Sequence, residues 1–166
     1  SNADVVDIDT ISTGDNLTIV ANSNVSVDDA SQLEGNVNIR SGGTIDITNA
    51  TAAMGTLTLS NERAPNGSDI TLTNTNSFGN VSISSVGSIT ATANNGLAGA
   101  SMISATAAED SSISADGVAN QTISLNAVNM ESNITQFTLN ASSIEQLNLG
   151  GSSPIVVVID GADIST

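Results

Sequence analysis

Two arginines, Arg40 and Arg63, are the only basic side chains in 166 residues that carry 17 aspartates and glutamates. Histidine, cysteine, tryptophan and tyrosine are absent. The groups that could do chemistry are therefore carboxylates, hydroxyls, amides and two guanidinium groups. Sugar-cleaving enzymes need clustered carboxylates beside a basic or aromatic platform. There is no lysine to act as a base. Arg40 and Arg63 stand about one repeat plus a corner apart; they could stack, but they read as solvated surface charge. The residues assign no catalytic and no cofactor-binding site, and the chain reads as a non-enzyme.

The remaining chemistry is that of oxygen ligands. Asp4, Asp7, Asp9 and Asp15 could offer carboxylates to Ca²⁺, as could Asp160 and Asp163 in IDGAD. A hard cation wants several oxygens converging at short range. The calcium-binding nonapeptide G-G-x-G-x-D and the EF-hand spacing are both missing. The expectation is no metal site, no cofactor and folding that does not require Ca²⁺, with loosely held surface Ca²⁺ as the alternative.

The formal charge of −15 excludes whole function classes. Two cations cannot neutralise a row of phosphates, so nucleic acid is not a partner. An anionic membrane surface is disfavoured for the same reason, and the sequence has no apolar run long enough to insert. Absence of cysteine suits an exported protein built as a long repeat array. Asn-x-Ser/Thr sequons at Asn16, Asn24, Asn49, Asn66, Asn80, Asn120, Asn133 and Asn140 follow from composition and matter only in a host that glycosylates them. Outward threonines such as Thr56 with Thr58 and Thr71 with Thr73 could match an ice lattice. Asn36, Asn38, Ser82 and Ser84 break that regularity.

The elements that would position these residues come from a repeat. GNVNIRSGGTIDIT opens at Gly35, GTLTLS at Gly55 and GNVSIS at Gly79. One apolar series runs Leu17, Val37, Leu57, Val81, Met102, Ile123 and Ile144, in steps of 20, 20, 24, 21, 21 and 21. A second runs Val25, Ile45, Ile70, Ile89, Ile113, Ile134 and Ile155, in steps of 20, 25, 19, 24, 21 and 21. Within each run apolar and polar residues alternate, which puts them on opposite faces of a strand. One such unit cannot bury its apolar face alone; stacked units can. The expected fold is all-β: a right-handed parallel β-helix with coils of about 20 residues, two strands per coil and about seven coils. Val37, Leu57 and Val81 should stack on one strand, and Ile45, Ile70 and Ile89 on the other. Corners fall at turn-forming residues such as Ser41-Gly42-Gly43 and Asn66-Gly67-Ser68. Ser101 to Asp110 is the best helical candidate, although its flank SSISADG returns to strand chemistry.

Residues 1–3 (Ser-Asn-Ala) read as an expression-tag remnant, and 4–166 as a single β-solenoid segment of a larger protein. The stretches GNVNIRSGGTIDIT, GTLTLSN and SDITLTNTNSFGNVSISSVGSITATANNG resemble the strand repeats of large bacterial surface proteins. They are most similar to the filamentous-haemagglutinin-like adhesins, in which G-N-(V/L)-(T/S)-(I/L) and G-x-I-x-(I/L)-T recur along a right-handed parallel β-helix. ASSIEQLNLGGSSPIVVVIDGAD is similar to the strand repeats of bacterial surface-layer proteins. The resemblance implies an extracellular or cell-surface location and a structural or adhesive role, as an adhesin stalk or binding surface. It implies as partners a glycan or protein on a host or neighbouring cell, or further copies of the chain. A surface-layer (coat) segment is the alternative, and a polysaccharide-processing β-helix enzyme the less favoured one. The resemblance carries over no functional residue.

Overall fold

The structure is a computed structural model that describes residues 4–52, 55–74, 79–92, 102–115, 122–129, 133–141 and 144–160. Every described strand pairs in parallel with its neighbours, in three sheets. The eight-stranded sheet stacks β1 (Val6–Ile8), β4 (Val25–Val27), β7 (Ile45–Thr48), β10 (Ile70–Thr73), β12 (Ile89–Thr92), β14 (Ser111–Ala115), β16 (Thr135–Ala141) and β18 (Ile155–Asp160). The seven-stranded sheet stacks β3 (Leu17–Ala21), β6 (Val37–Ser41), β9 (Thr56–Ser60), β11 (Asn80–Ser84), β13 (Met102–Ala107), β15 (Thr122–Ala127) and β17 (Gln146–Gly151). A third sheet of β2 (Ser12–Thr13), β5 (Ala30–Leu33) and β8 (Ala50–Ala52) adds a third side to the first coils. This is a parallel β-solenoid.

The expected stacks are present. Val37 pairs with Leu57 and Leu57 with Val81. Ile45 pairs with Ile70 and Ile70 with Ile89. The acidic lead-in supplies β1, whose Val6 pairs with Val25. Ser101 lies outside the described residues, and residues 102–110 hold no helix: Met102–Ala107 form β13.

Later in the chain the register differs from the expected series. Val81 pairs with Ile103, not Met102, and Ile123 with Leu147, not Ile144. Ile113 pairs with Ala91, two residues beyond Ile89. Thr135, not Ile134, pairs with Ile155. The cause is phase. In MISATA, only the phase that buries Ile103 also buries Ala105 and Ala107, leaving Met102 half exposed. In ITQFTL, burying Phe137 and Leu139 places Thr135 inside and Ile134 out. The third sheet escaped the sequence reading because β2 and β5 bring short or weakly alternating segments, ST and ASQL.

The core is one cluster of Ile, Leu, Val and Ala running along the axis, with Phe137 its largest fully buried side chain. Fully burying one such aliphatic side chain contributes about 1.5–3 kcal/mol. The stack is closed by backbone and side-chain ladders that explain the recurring letters. At Gly35 a Cβ would sit 2.6 Å from the Asp15 carbonyl group one coil away. The glycine that opens GNV therefore permits close coil stacking. The asparagine after it serves the next coil: Asn36 N–H donates to Asn16 Oδ1 and Thr56 N–H to Asn36 Oδ1, both at 2.9 Å. Ahead of the second strand, Thr44 N–H donates to Asn24 Oδ1 (3.0 Å) and Ser88 N–H to Asp69 Oδ1 (2.8 Å). Asn49 and Asn74 take the left-handed conformation at φ 56° and 54°, which asparagine tolerates. Asn74 Nδ2 donates to Asn49 Oδ1 across the coils.

Candidate functional site

The corner between the two main sheets decides where Arg63 stands. Ser41, Asn61 and Ser85 occupy one inward column at this corner, and all three are buried. The single O–H of Ser41 lies within donating reach of the carbonyls of Ser23 and Thr44, and its Oγ accepts from Gly43 N–H. Ser85 repeats the pattern, its O–H shared between the carbonyls of Ser68 and Ser88 and its Oγ accepting from Gly87 N–H. A serine suffices there because the second strand starts four residues on, at Ile45 or Ile89.

In the middle coil the second strand starts at Ile70, and residues 62–69 form a longer corner. Asparagine reaches where serine cannot. Asn61 Nδ2 donates to Ser68 O at 2.7 Å, and its Oδ1 accepts from Val86 N–H at 3.1 Å. Two turns within the corner, Ala64 N–H to Asn61 O and Ser68 N–H to Pro65 O, complete it. The insertion that carries Glu62 and Arg63 is thus anchored by a fully buried amide.

Arg40 is placed by the strands themselves. On the outer face of the seven-stranded sheet, Val20, Arg40, Ser60 and Ser84 form one row across four coils. Adjacent strands are about 4.8 Å apart. The anchored corner brings Arg63 to the same face, and both guanidinium side chains line one groove of about 540 Å³, with Val20, Thr58, Ser60 and Ser82. Glu62 also lines it, and Ser84 Oγ donates to its carboxylate at 2.8 Å. Arg40 and Arg63 are both exposed, as solvated surface charges are, and the longer step from Leu57 to Val81 is what carries Arg63 round to Arg40. A second hollow of about 500 Å³ lies further along the corner, where Val86, Ala108 and Val128 make an apolar stripe between Glu62 and Glu109.

Among the described residues the carboxylates considered for Ca²⁺ do not converge. Asp4, Asp7, Asp9 and Asp15 are exposed, and Asp7 faces outward beside Ser26. Among the described residues no three acidic side chains form a group that could hold a metal ion. Asp160 ends β18, and Asp163 lies outside the described residues. The outward row through Thr58 reads Thr18, Asn38, Thr58, Ser82, Ser104, Ser124 and Asn148. That through Thr71 includes Ser26, Asp46, Thr90 and Ser112. Neither is a uniform threonine lattice. The sequon asparagines Asn16, Asn24, Asn49, Asn66, Asn80, Asn133 and Asn140 are all exposed, and the first three also serve the coil-to-coil ladders. Asn120 lies outside the described residues.

Comparison of the chain with protein-family models, curated proteins and solved structures gave no match.

Proposed function

We propose that this chain is a non-enzymatic structural and adhesive segment of a bacterial cell-surface or secreted protein, in the manner of the filamentous-haemagglutinin-like adhesins that its GNV and GxIxI repeats resemble. The observation that carries this reading is the outer face of the seven-stranded sheet. It presents in-register rows of Thr, Ser and Asn at one coil pitch, interrupted by one groove that holds both cations of the chain. Such a surface offers hydrogen bonds and charge to a ligand without acid–base machinery.

The test is retention on surfaces. The fluorescently labelled chain, applied to immobilised acidic and neutral glycans and to whole bacterial and animal cells, is expected to be retained without altering the glycan. Release of new reducing ends from any polysaccharide overturns the non-enzymatic reading, and uniform failure to be retained overturns the adhesive one. A coat segment is the second reading, favoured by one specific feature: outward Val156 and Val158 on β18 are each 43% exposed, as residues awaiting a lateral neighbour would be.

A further inference from the structure

In a chain with 17 acidic side chains, both basic ones line the same groove. Arg40 is set there by strand register and Arg63 by a corner that the buried Asn61 holds. We propose that this groove binds a sugar bearing a single carboxylate, of the uronic-acid class. The proposal deepens the adhesive reading, and rests on it for the source of the sugar, a cell-surface glycan.

Three features select that ligand. Guanidinium groups grip a carboxylate through paired, charge-assisted hydrogen bonds. The hydroxyls of Thr58, Ser60 and Ser82 line the same groove and match the alternating donors and acceptors of a sugar ring. Val20, in register with Arg40 and 52% exposed, offers an aliphatic patch to the C–H face of that ring. Charge sets the limit. Glu62 stands in the groove with its carboxylate engaged by Ser84, so two arginines and one glutamate leave a formal +1, which one carboxylate neutralises. A polyanion, or a second copy of this chain at −15, meets repulsion from the surrounding acidic surface.

The test is a titration of the ¹⁵N-labelled full chain with methyl glucuronide and methyl glucoside, which differ at the C6 carboxylate. The glucuronide is expected to give saturable shifts at the Arg40 and Arg63 side-chain N–H groups and at the Ser82 and Ser84 amides, at concentrations on the order of 1–10 mM. Loss of the charge-assisted bonds predicts binding about tenfold or more weaker for the glucoside, and for Arg40→Gln and Arg63→Gln separately. The Val86 and Gly87 amide signals report whether each variant keeps the corner intact. Equal binding of both sugars, binding that survives in the double variant, or no shift at the groove overturns the proposal. Groove binding without retention on glycan surfaces leaves this site standing and removes the adhesive role. Retention that persists in the double variant does the reverse.

Discussion

Asn61→Ala tests whether one buried amide holds the corner that carries Arg63. Two well-formed hydrogen bonds are lost, Asn61 Nδ2 to Ser68 O at 2.7 Å and Val86 N–H to Asn61 Oδ1 at 3.1 Å. The contact to Asp69 O at 3.4 Å is long and is discounted. Val86 N–H is left unpaired at about 1–3 kcal/mol, whereas Ser68 O keeps Ser85 Oγ as a donor at 3.1 Å and loses about 0.5–1.5 kcal/mol, so the total is roughly 1.5–4.5 kcal/mol. Such a stack can open locally, so a global melt would blur the effect. Amide exchange resolves it. Val86 N–H is expected to exchange about 5- to 150-fold faster in the variant, from its own 1–3 kcal/mol share. Gly87 N–H, which donates to Ser85 Oγ instead, should change far less and serves as the internal control. Asn61→Ser should recover little, because the strand starts nine residues on rather than four. Asn61→Ser with residues 62–69 replaced by Val-Gly-Ser, the short corner that follows Ser85, should restore protection. Val86 exchange within about twofold of the parent in Asn61→Ala would refute the reasoning, since even a 1 kcal/mol bond predicts about fivefold.

Thr135 is fully buried and its Oγ1 has no hydrogen-bond partner among the described residues. Thr135→Val should raise stability by about 1 kcal/mol, read as a higher urea midpoint; a lower midpoint would reveal a partner for the hydroxyl. Chelation should leave the melting curve unchanged, because the described acidic residues form no metal cluster; loss of the folded transition would show a structural cation. At the β18 end, Leu147, Ile155, Val157 and Ile159 face the core yet stay only partly buried. The net charge of −15 predicts self-association there that grows as salt screens repulsion. Light scattering across a salt series should show growth for the parent and not for Val157→Lys; unchanged mass for both would contradict this.

The first coils were legible in the sequence because each strand carries two strong letters in one phase, such as Val37 with Ile39 and Leu57 with Leu59. Where alanine fills the core, as at Ala105 and Ala107, the first large apolar residue of the run, Met102, lies one position out of phase with it. Ile134 misleads in the same way: it is 60% exposed while its neighbour Thr135 is buried. Side-chain size alone does not set phase; the whole run does. The groove was less legible still. Arg40 and Arg63 are 23 positions apart in sequence, and only the coil register and the Asn61 anchor bring them to one face. Asn61 itself reads as a loop residue by type, because its burial depends on a column shared with Ser41 and Ser85 in other coils.

Coils stacked in parallel and in register set the outward rows and the groove between them. The chain has no cysteine, so introduced pairs report geometry without background. Thr58 and Ser82 are register partners on adjacent strands, about 4.8 Å apart, within the span a disulfide bridges. Thr58→Cys with Ser82→Cys should oxidise to an intramolecular disulfide in the folded chain. Thr58→Cys with Ser104→Cys, two strands apart at about 9.6 Å, should not. Ready bridging of the second pair, or failure of the first in a folded chain, would contradict the parallel in-register stack.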